Sequence, residues 1–103
     1  MYIYNVTLNI EDSIHSEWLK WMTAMHIPQM MATRKFTHAK MLRVMTEEET
    51  GGITYAVQYF TDSKATLEKY YAEDAPGLRQ DGMNRFGGKF VAFRTELEVI
   101  AEY

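Results

Sequence analysis

Between Tyr4 and Met25 the spacing of apolar residues changes from every second position to every third or fourth. Tyr4, Val6, Leu8 and Ile10 alternate with Asn5, Thr7 and Asn9, as a strand requires when successive side chains point to opposite faces. Ile14, Trp18, Trp21, Met22 and Met25 then stand at i, i+4, i+7, i+8 and i+11. That spacing makes one apolar stripe along a helix. A strand running straight into an amphipathic helix predicts a helix laid back on a sheet.

The punctuation between these segments is legible. Glu11-Asp12-Ser13 supplies N-cap chemistry and Glu17 an acidic first turn, both suited to a helix start. Pro28 has no N–H and disfavours the helical region for Ile27, so a break or a restarted turn is expected around residues 26–28, with Gln29-Met30-Met31 as a short extra turn. His26 then reads as a helix-end group interacting with the C-terminal dipole. Residues 35–45 read as a weaker strand, and TEEETGG (46–52) as an acidic turn whose glycines can take positive φ. In the following arm, GITYAVQYF, Tyr55, Val57 and Tyr59 share one side and Thr54, Ala56, Gln58 and Phe60 the other.

Asp62-Ser63 can cap a second helix carrying Leu67, Tyr70 and Tyr71. Asp74-Ala75-Pro76 marks a break and restart through about Arg85, ended by Gly87-Gly88. RFGGKF (85–90) is better explained as this glycine cap than as an anion cradle, because a helix C-terminus is the wrong end for an anion. A last strand begins near Phe90.

The order is β-α-β-β-α-β in 103 residues, one ferredoxin-like α+β domain over residues 1–103, with a four-stranded antiparallel sheet in the order 4-1-3-2 and helices on one face. Two helices can cover only one face of the sheet. Strand parity assigns Tyr4/Val6/Leu8/Ile10, Tyr55/Val57/Tyr59 and Val91/Phe93/Leu97/Val99 to the helix side, the richer apolar sets. The other side then carries Asn5, Thr7, Gln58, Phe60, Phe90, Arg94, Glu96 and Glu98, and is expected to meet a second copy of the chain, with the arginine and the glutamates pairing across the contact.

On the helix side, Trp18, Trp21, Met22 and Met25 with Tyr55 and Tyr59 are candidates for the wall of a pocket taking a small apolar or aromatic ligand. The same stripe reads first as the helix's contribution to a filled core and only second as a pocket wall. Whether space exists between helix and sheet decides between the two.

Most chemistries find no support. The three histidines, His15, His26 and His38, lack metal spacing: the first two lie about 16 Å apart along a helix, so no metal site is expected. His15 reads as solvated, and His38 on the mixed strand as able to reach a partner or a pocket. Ser13, Ser16 and Ser63 have no nucleophile-elbow setting. Glu96 and Glu98 share a strand side without a sign of a raised pKa. No cofactor is expected. A net charge of -3 without a basic run argues against nucleic-acid binding. The absence of cysteine fits a reducing compartment, and no apolar run suggests a membrane span or leader, so a cytoplasmic location is expected.

Taken together, YNVTLNIED, WLKWM, HIPQMMAT, TYAVQYF and RFGGKFVAFRTELEV resemble a family of small uncharacterised bacterial proteins, a domain-of-unknown-function family, over nearly the whole chain. That family resembles the dimeric α/β-barrel group, which includes antibiotic-biosynthesis monooxygenases and haem-degrading enzymes. The resemblance implies a homodimer in which two sheets associate, and a pocket between sheet and helices. Haem-degrading members use an Asn on the first strand with a Trp and a His. Residues 64–87 of this chain contain neither Trp nor His, and parity turns Asn5 away from the helix side. Two functions follow as expectations: a non-enzymatic homodimeric small-ligand or interaction module, or a cofactor-free monooxygenase-like enzyme with an aromatic pocket.

Overall fold

Strand β1 (Tyr2–Ile10) lies at the centre of the sheet, paired antiparallel with β3 (Ile53–Thr61) on one side and β4 (Phe90–Glu98) on the other. Strand β2 (His38–Arg43), shorter than its sequence pattern suggested, closes the other edge against β3, so the order is β2-β3-β1-β4. This is the expected ferredoxin-like order, read from the opposite edge. The computed structural model describes residues 1–46 and 51–103. The acidic run Glu47–Glu49 lies outside the described residues.

The first helical layer is one continuous rod in three parts. After a short 3-10 turn at Asp12–Ile14, α1 (His15–Trp21) passes into a widened π turn at Met22–His26, and that into α2 (Ile27–Ala32). No side chain caps its start; Ser13 Oγ instead donates to Glu11 Oε1 at 3.1 Å. Of the break and the restarted turn expected around Pro28, the chain takes the second, restarting as α2. Pro28 sits in the first turn of α2, where its missing N–H would otherwise be bonded to a carbonyl one turn earlier. Widening the preceding turn lets the Ile27 N–H reach back five residues to the Met22 carbonyl, so the chain absorbs the proline without leaving the helix. His26 is consequently not a helix-end group but lies inside the rod.

The second layer behaves as its punctuation predicts. Ser63 Oγ accepts from the Thr66 N–H at 3.0 Å and caps α3 (Lys64–Glu73), α4 (Ala75–Phe86) carries Pro76 in its first turn, and Gly87 donates to the Met83 carbonyl at 2.9 Å. Lys35 ties the layers together, donating to Asp74 Oδ2 at 2.9 Å and Glu73 Oε1 at 3.3 Å.

The register of β4 corrects the sequence reading of its faces. Residues opposite one another across antiparallel strands share a face, and Ile10, Leu8, Val6 and Tyr4 oppose Phe90, Ala92, Arg94 and Glu96. Phe90, Arg94, Glu96 and, by alternation, Glu98 therefore lie on the helix side. Val91, Phe93 and Leu97 lie on the uncovered face with Asn5, Thr7, Gln58 and Phe60. Polar partners on the helix side account for the reversal: Arg94 Nε donates to Tyr4 Oη at 3.0 Å, and Glu96 accepts from Tyr71 Oη at 2.7 Å and from Lys64.

The core lies between sheet and helices, with Tyr4, Ile10, Trp18, Met30, Val57, Tyr59, Leu67 and Tyr70 all at most 2% exposed. No helix among the described residues is long and apolar enough to cross a membrane.

Candidate functional site

The helix side is not completely filled. A cavity of about 60 Å³ opens between sheet and helices, several times the 10–15 Å³ or so that admits one water. Its floor is Tyr4, Val6 and Leu8 of β1, Val57 and Tyr59 of β3, and Phe90 and Arg94 of β4; its roof is Trp18, Trp21, Met22, His26 and Met30 of the first rod, with Tyr70 of α3 and Leu78, Arg79, Gly82 and Phe86 of α4.

Of the six pocket residues expected from sequence, Trp18, Trp21, Met22 and Tyr59 line this space. Met25 does not: it is 41% exposed, because the π turn alters the phase of the stripe and brings His26 inward after Met22. Tyr55 lies on the helix side but next to the cavity rather than in its wall. It packs against Trp18 at 5.1 Å between ring centres and bonds His15 Nε2 at 2.7 Å, so His15 is a half-buried partner of Tyr55 rather than a solvated group.

The polar groups of the wall escaped the sequence reading. Arg79 Nη2 and Arg94 Nε each donate to Tyr4 Oη at 3.0 Å, so two guanidiniums from opposite layers converge on one phenol oxygen. His26 stacks on Trp21 at 4.7 Å and its Nδ1 is buried without a partner, as is the Trp21 Nε1. Burial, reinforced by the positive charge of Arg94 and opposed by Asp81, lowers the His26 pKa from 6.5 to about 4; the ring is neutral near pH 7. Burial also raises the Tyr59 and Tyr70 phenols, keeping them protonated, with Tyr70 Oη donating to Met30 Sδ at 3.3 Å.

The wall contains no carboxylate, serine, threonine, cysteine or lysine among the described residues. Nor do the described residues hold a group of three His, Cys, Asp or Glu side chains that could hold a metal ion. One signal for the α4 wall was present in the sequence: Leu78, Gly82 and Phe86 recur every fourth residue, which turns one side of α4 inward. The arginines carried no such mark, since guanidiniums ordinarily belong to solvent.

On the uncovered sheet face, Asn5 Nδ2 donates to Thr7 Oγ1 at 3.1 Å and Thr95 Oγ1 at 3.3 Å. Phe60 is covered by its own chain, with His38 stacked on it at 4.1 Å. The exposed apolar groups there are Val91 at 69%, Phe93 at 63%, Leu42 at 43% and Leu97 at 39%.

A four-stranded antiparallel sheet with helices on one face, and a partly open space beneath them, places the protein in the ferredoxin-like α+β class. Within that class, residues 1–100 match the family described as a domain of unknown function, DUF4286, and the chain belongs to that family. No curated protein matches the chain in sequence.

Solved structures share the fold. A dimeric ferredoxin-like protein from an uncultured marine organism is 16% identical, with 99% of this chain and 97% of that one covered and a TM-score of 0.67. A putative antibiotic biosynthesis monooxygenase from Deinococcus radiodurans is 15% identical over 100% of this chain and 96% of that one, TM-score 0.59. A MhuD variant with two manganese protoporphyrin IX molecules bound per active site is 16% identical over 100% and 98%, TM-score 0.70. At these identities the likeness is one of fold.

Proposed function

We propose that this chain is a cytoplasmic, homodimeric small-ligand-binding protein without catalytic activity, whose ligand occupies the cavity between helices and sheet. The cavity itself carries the reading: apolar and aromatic walls with a few converging polar groups are the composition of a binding site rather than of a packing defect. The wall offers no nucleophile and no carboxylate base among the described residues, and its one imidazole, with its pKa lowered to about 4, is a weak proton acceptor. Binding needs none of these, whereas acid–base catalysis does.

Dimerisation is supported by Val91, Phe93 and Leu97 exposed together on the uncovered face, an apolar patch of the kind that marks interaction surfaces, and by the dimeric ferredoxin-like neighbour. The polar groups available to that contact are Asn5, Thr7, Gln58 and Thr95 rather than Arg94 and Glu96, which are engaged on the helix side, or Glu98, which shares that side by register.

A porphyrin, as held by the MhuD neighbour, does not fit these residues. The cavity of about 60 Å³ is far smaller than such a macrocycle, and Asn5 lies on the other face of the sheet. The second reading, a cofactor-free monooxygenase-like enzyme, is favoured by the aromatic wall of Trp18, Trp21 and Tyr59 and by the Deinococcus neighbour.

The test is a fragment screen by protein-observed NMR, repeated on two variants. A Cβ at Gly82 would meet Trp21 at 3.6 Å, an ordinary contact, so Gly82→Ala should retain hits and Gly82→Leu, intruding on the cavity, should abolish them. Hits indifferent to Gly82→Leu, or no hits at all, would remove the pocket reading. Oxygen uptake on adding a bound fragment would replace it with the monooxygenase.

A further inference from the structure

Resting on that pocket reading, we propose that the ligand is a small organic carboxylate, its anionic end held by Arg79 and Arg94 beside the Tyr4 hydroxyl and its apolar body lying against Trp21 and Met22.

Two positive groups approach one point from different layers, Arg79 from α4 and Arg94 from β4, each 3.0 Å from the same phenol oxygen. Two guanidiniums held this close repel one another even where water weakens the repulsion, and an anion between them relieves it. Among the described residues neither arginine has one: the ion pairs are Lys35 with Glu73 and Asp74, Lys64 with Glu96, and Arg85 with Asp81. Arginine is the side chain best shaped to grip a carboxylate through two parallel N–H bonds. A carboxylate seated there would give both guanidiniums the counter-charge that the protein itself does not supply.

An independent observation points to the same occupant. Trp21 is only 8% exposed and lines the cavity, yet its Nε1 donor is buried with no partner. Buried polar groups are nearly always paired, and an indole N–H can only donate. Its missing partner is therefore an acceptor, as a carboxylate oxygen is. The cavity volume of about 60 Å³ limits the enclosed body to a short chain, since roughly 150 Å³ is what encloses a benzene ring.

The test uses two matched pairs of small probes, each an acid and its uncharged amide: propionate against propionamide, and butyrate against butyramide. Affinity is measured by calorimetry, and binding is followed at the Trp21 indole N–H in NMR spectra, assigned with Trp21→Phe. At least one carboxylate should bind about tenfold or more tightly than its amide, shift the indole signal, and lose about tenfold in Arg79→Gln and again in Arg94→Gln. Thermal unfolding of both variants should stay close to wild type, because both arginines are solvent-exposed at the cavity mouth.

If the amides bind as tightly as the acids, or the acids ignore both arginine variants, the carboxylate assignment is overturned while the pocket stands. If none of the four probes binds but uncharged fragments do, it is overturned in the same way. If no probe or fragment binds at all, or the hits persist in Gly82→Leu, the pocket falls as well.

Discussion

At the scale of single residues, the structure assigns His26 a role opposite to its position beside a proline. Its folded pKa of about 4 lies below the ordinary 6.5, with burial the largest cause. The unfolded chain therefore takes up a proton near pH 6.5 that the folded chain refuses until about pH 4. Stability linked to this group is complete above that window and is lost as pH falls through it. The loss amounts to roughly 3 kcal/mol. Urea unfolding at about pH 7 and about pH 4.5 should show it in the wild type and not in His26→Gln; equal losses in the two proteins would mean that the ring is solvated in the folded state. Of the site's residues, Trp18, Trp21, Met22 and Tyr59 were legible in sequence because apolar spacing reports an inner face. Arg79, Arg94 and His26 were not, since polar side chains follow no such period and only their tertiary neighbours reveal that they converge.

At the scale of elements, the first rod shows how a local rule can be satisfied in a way that spacing alone does not anticipate. Pro28 allows either a break or a restarted turn; the widened turn at Met22–His26 accommodates it without a break and changes which residues face inward. The rod ends at Arg34, whose φ of 63° is left-handed and whose N–H donates to the Met31 carbonyl at 3.1 Å, the helix termination that glycine usually supplies. Arg34→Gly should raise stability by about 0.5 kcal/mol, the left-handed penalty less the entropy that glycine adds to the unfolded chain. Arg34→Val should lower it by about 1 kcal/mol or more, since a branched Cβ crowds that conformation. Chemical denaturation reads both, and the sign difference between the variants is the test. The second layer was legible nearly as built because Ser63, Pro76 and Gly87 act through their own backbone geometry.

At the scale of the whole molecule, the uncovered face controls the state of assembly proposed above. Phe93 is 63% exposed near the middle of β4, on the side away from the helices. Phe93→Lys should convert a dimer to a folded monomer by light scattering, with the helix-side core unchanged; a variant that remains dimeric would place the contact elsewhere. The amino-acid sequence by itself determined the element order, the antiparallel order of the strands and the existence of an uncovered face, because period, caps and turns are written locally and two helical layers cover only one side of a sheet. It could not decide which side of β4 meets the helices. Both sides of that strand carry apolar residues, and apolarity says that a side is favoured for covering without saying what covers it. Register decided it, since pairing Ile10 with Phe90 sends Arg94 and Glu96 inward to Tyr4, Tyr71 and Lys64 and leaves Phe93 outside. The cavity belongs to the same category: it is the space left when particular side chains from three helices and three strands fail to fill their common interior, and no pattern along one chain segment encodes that remainder.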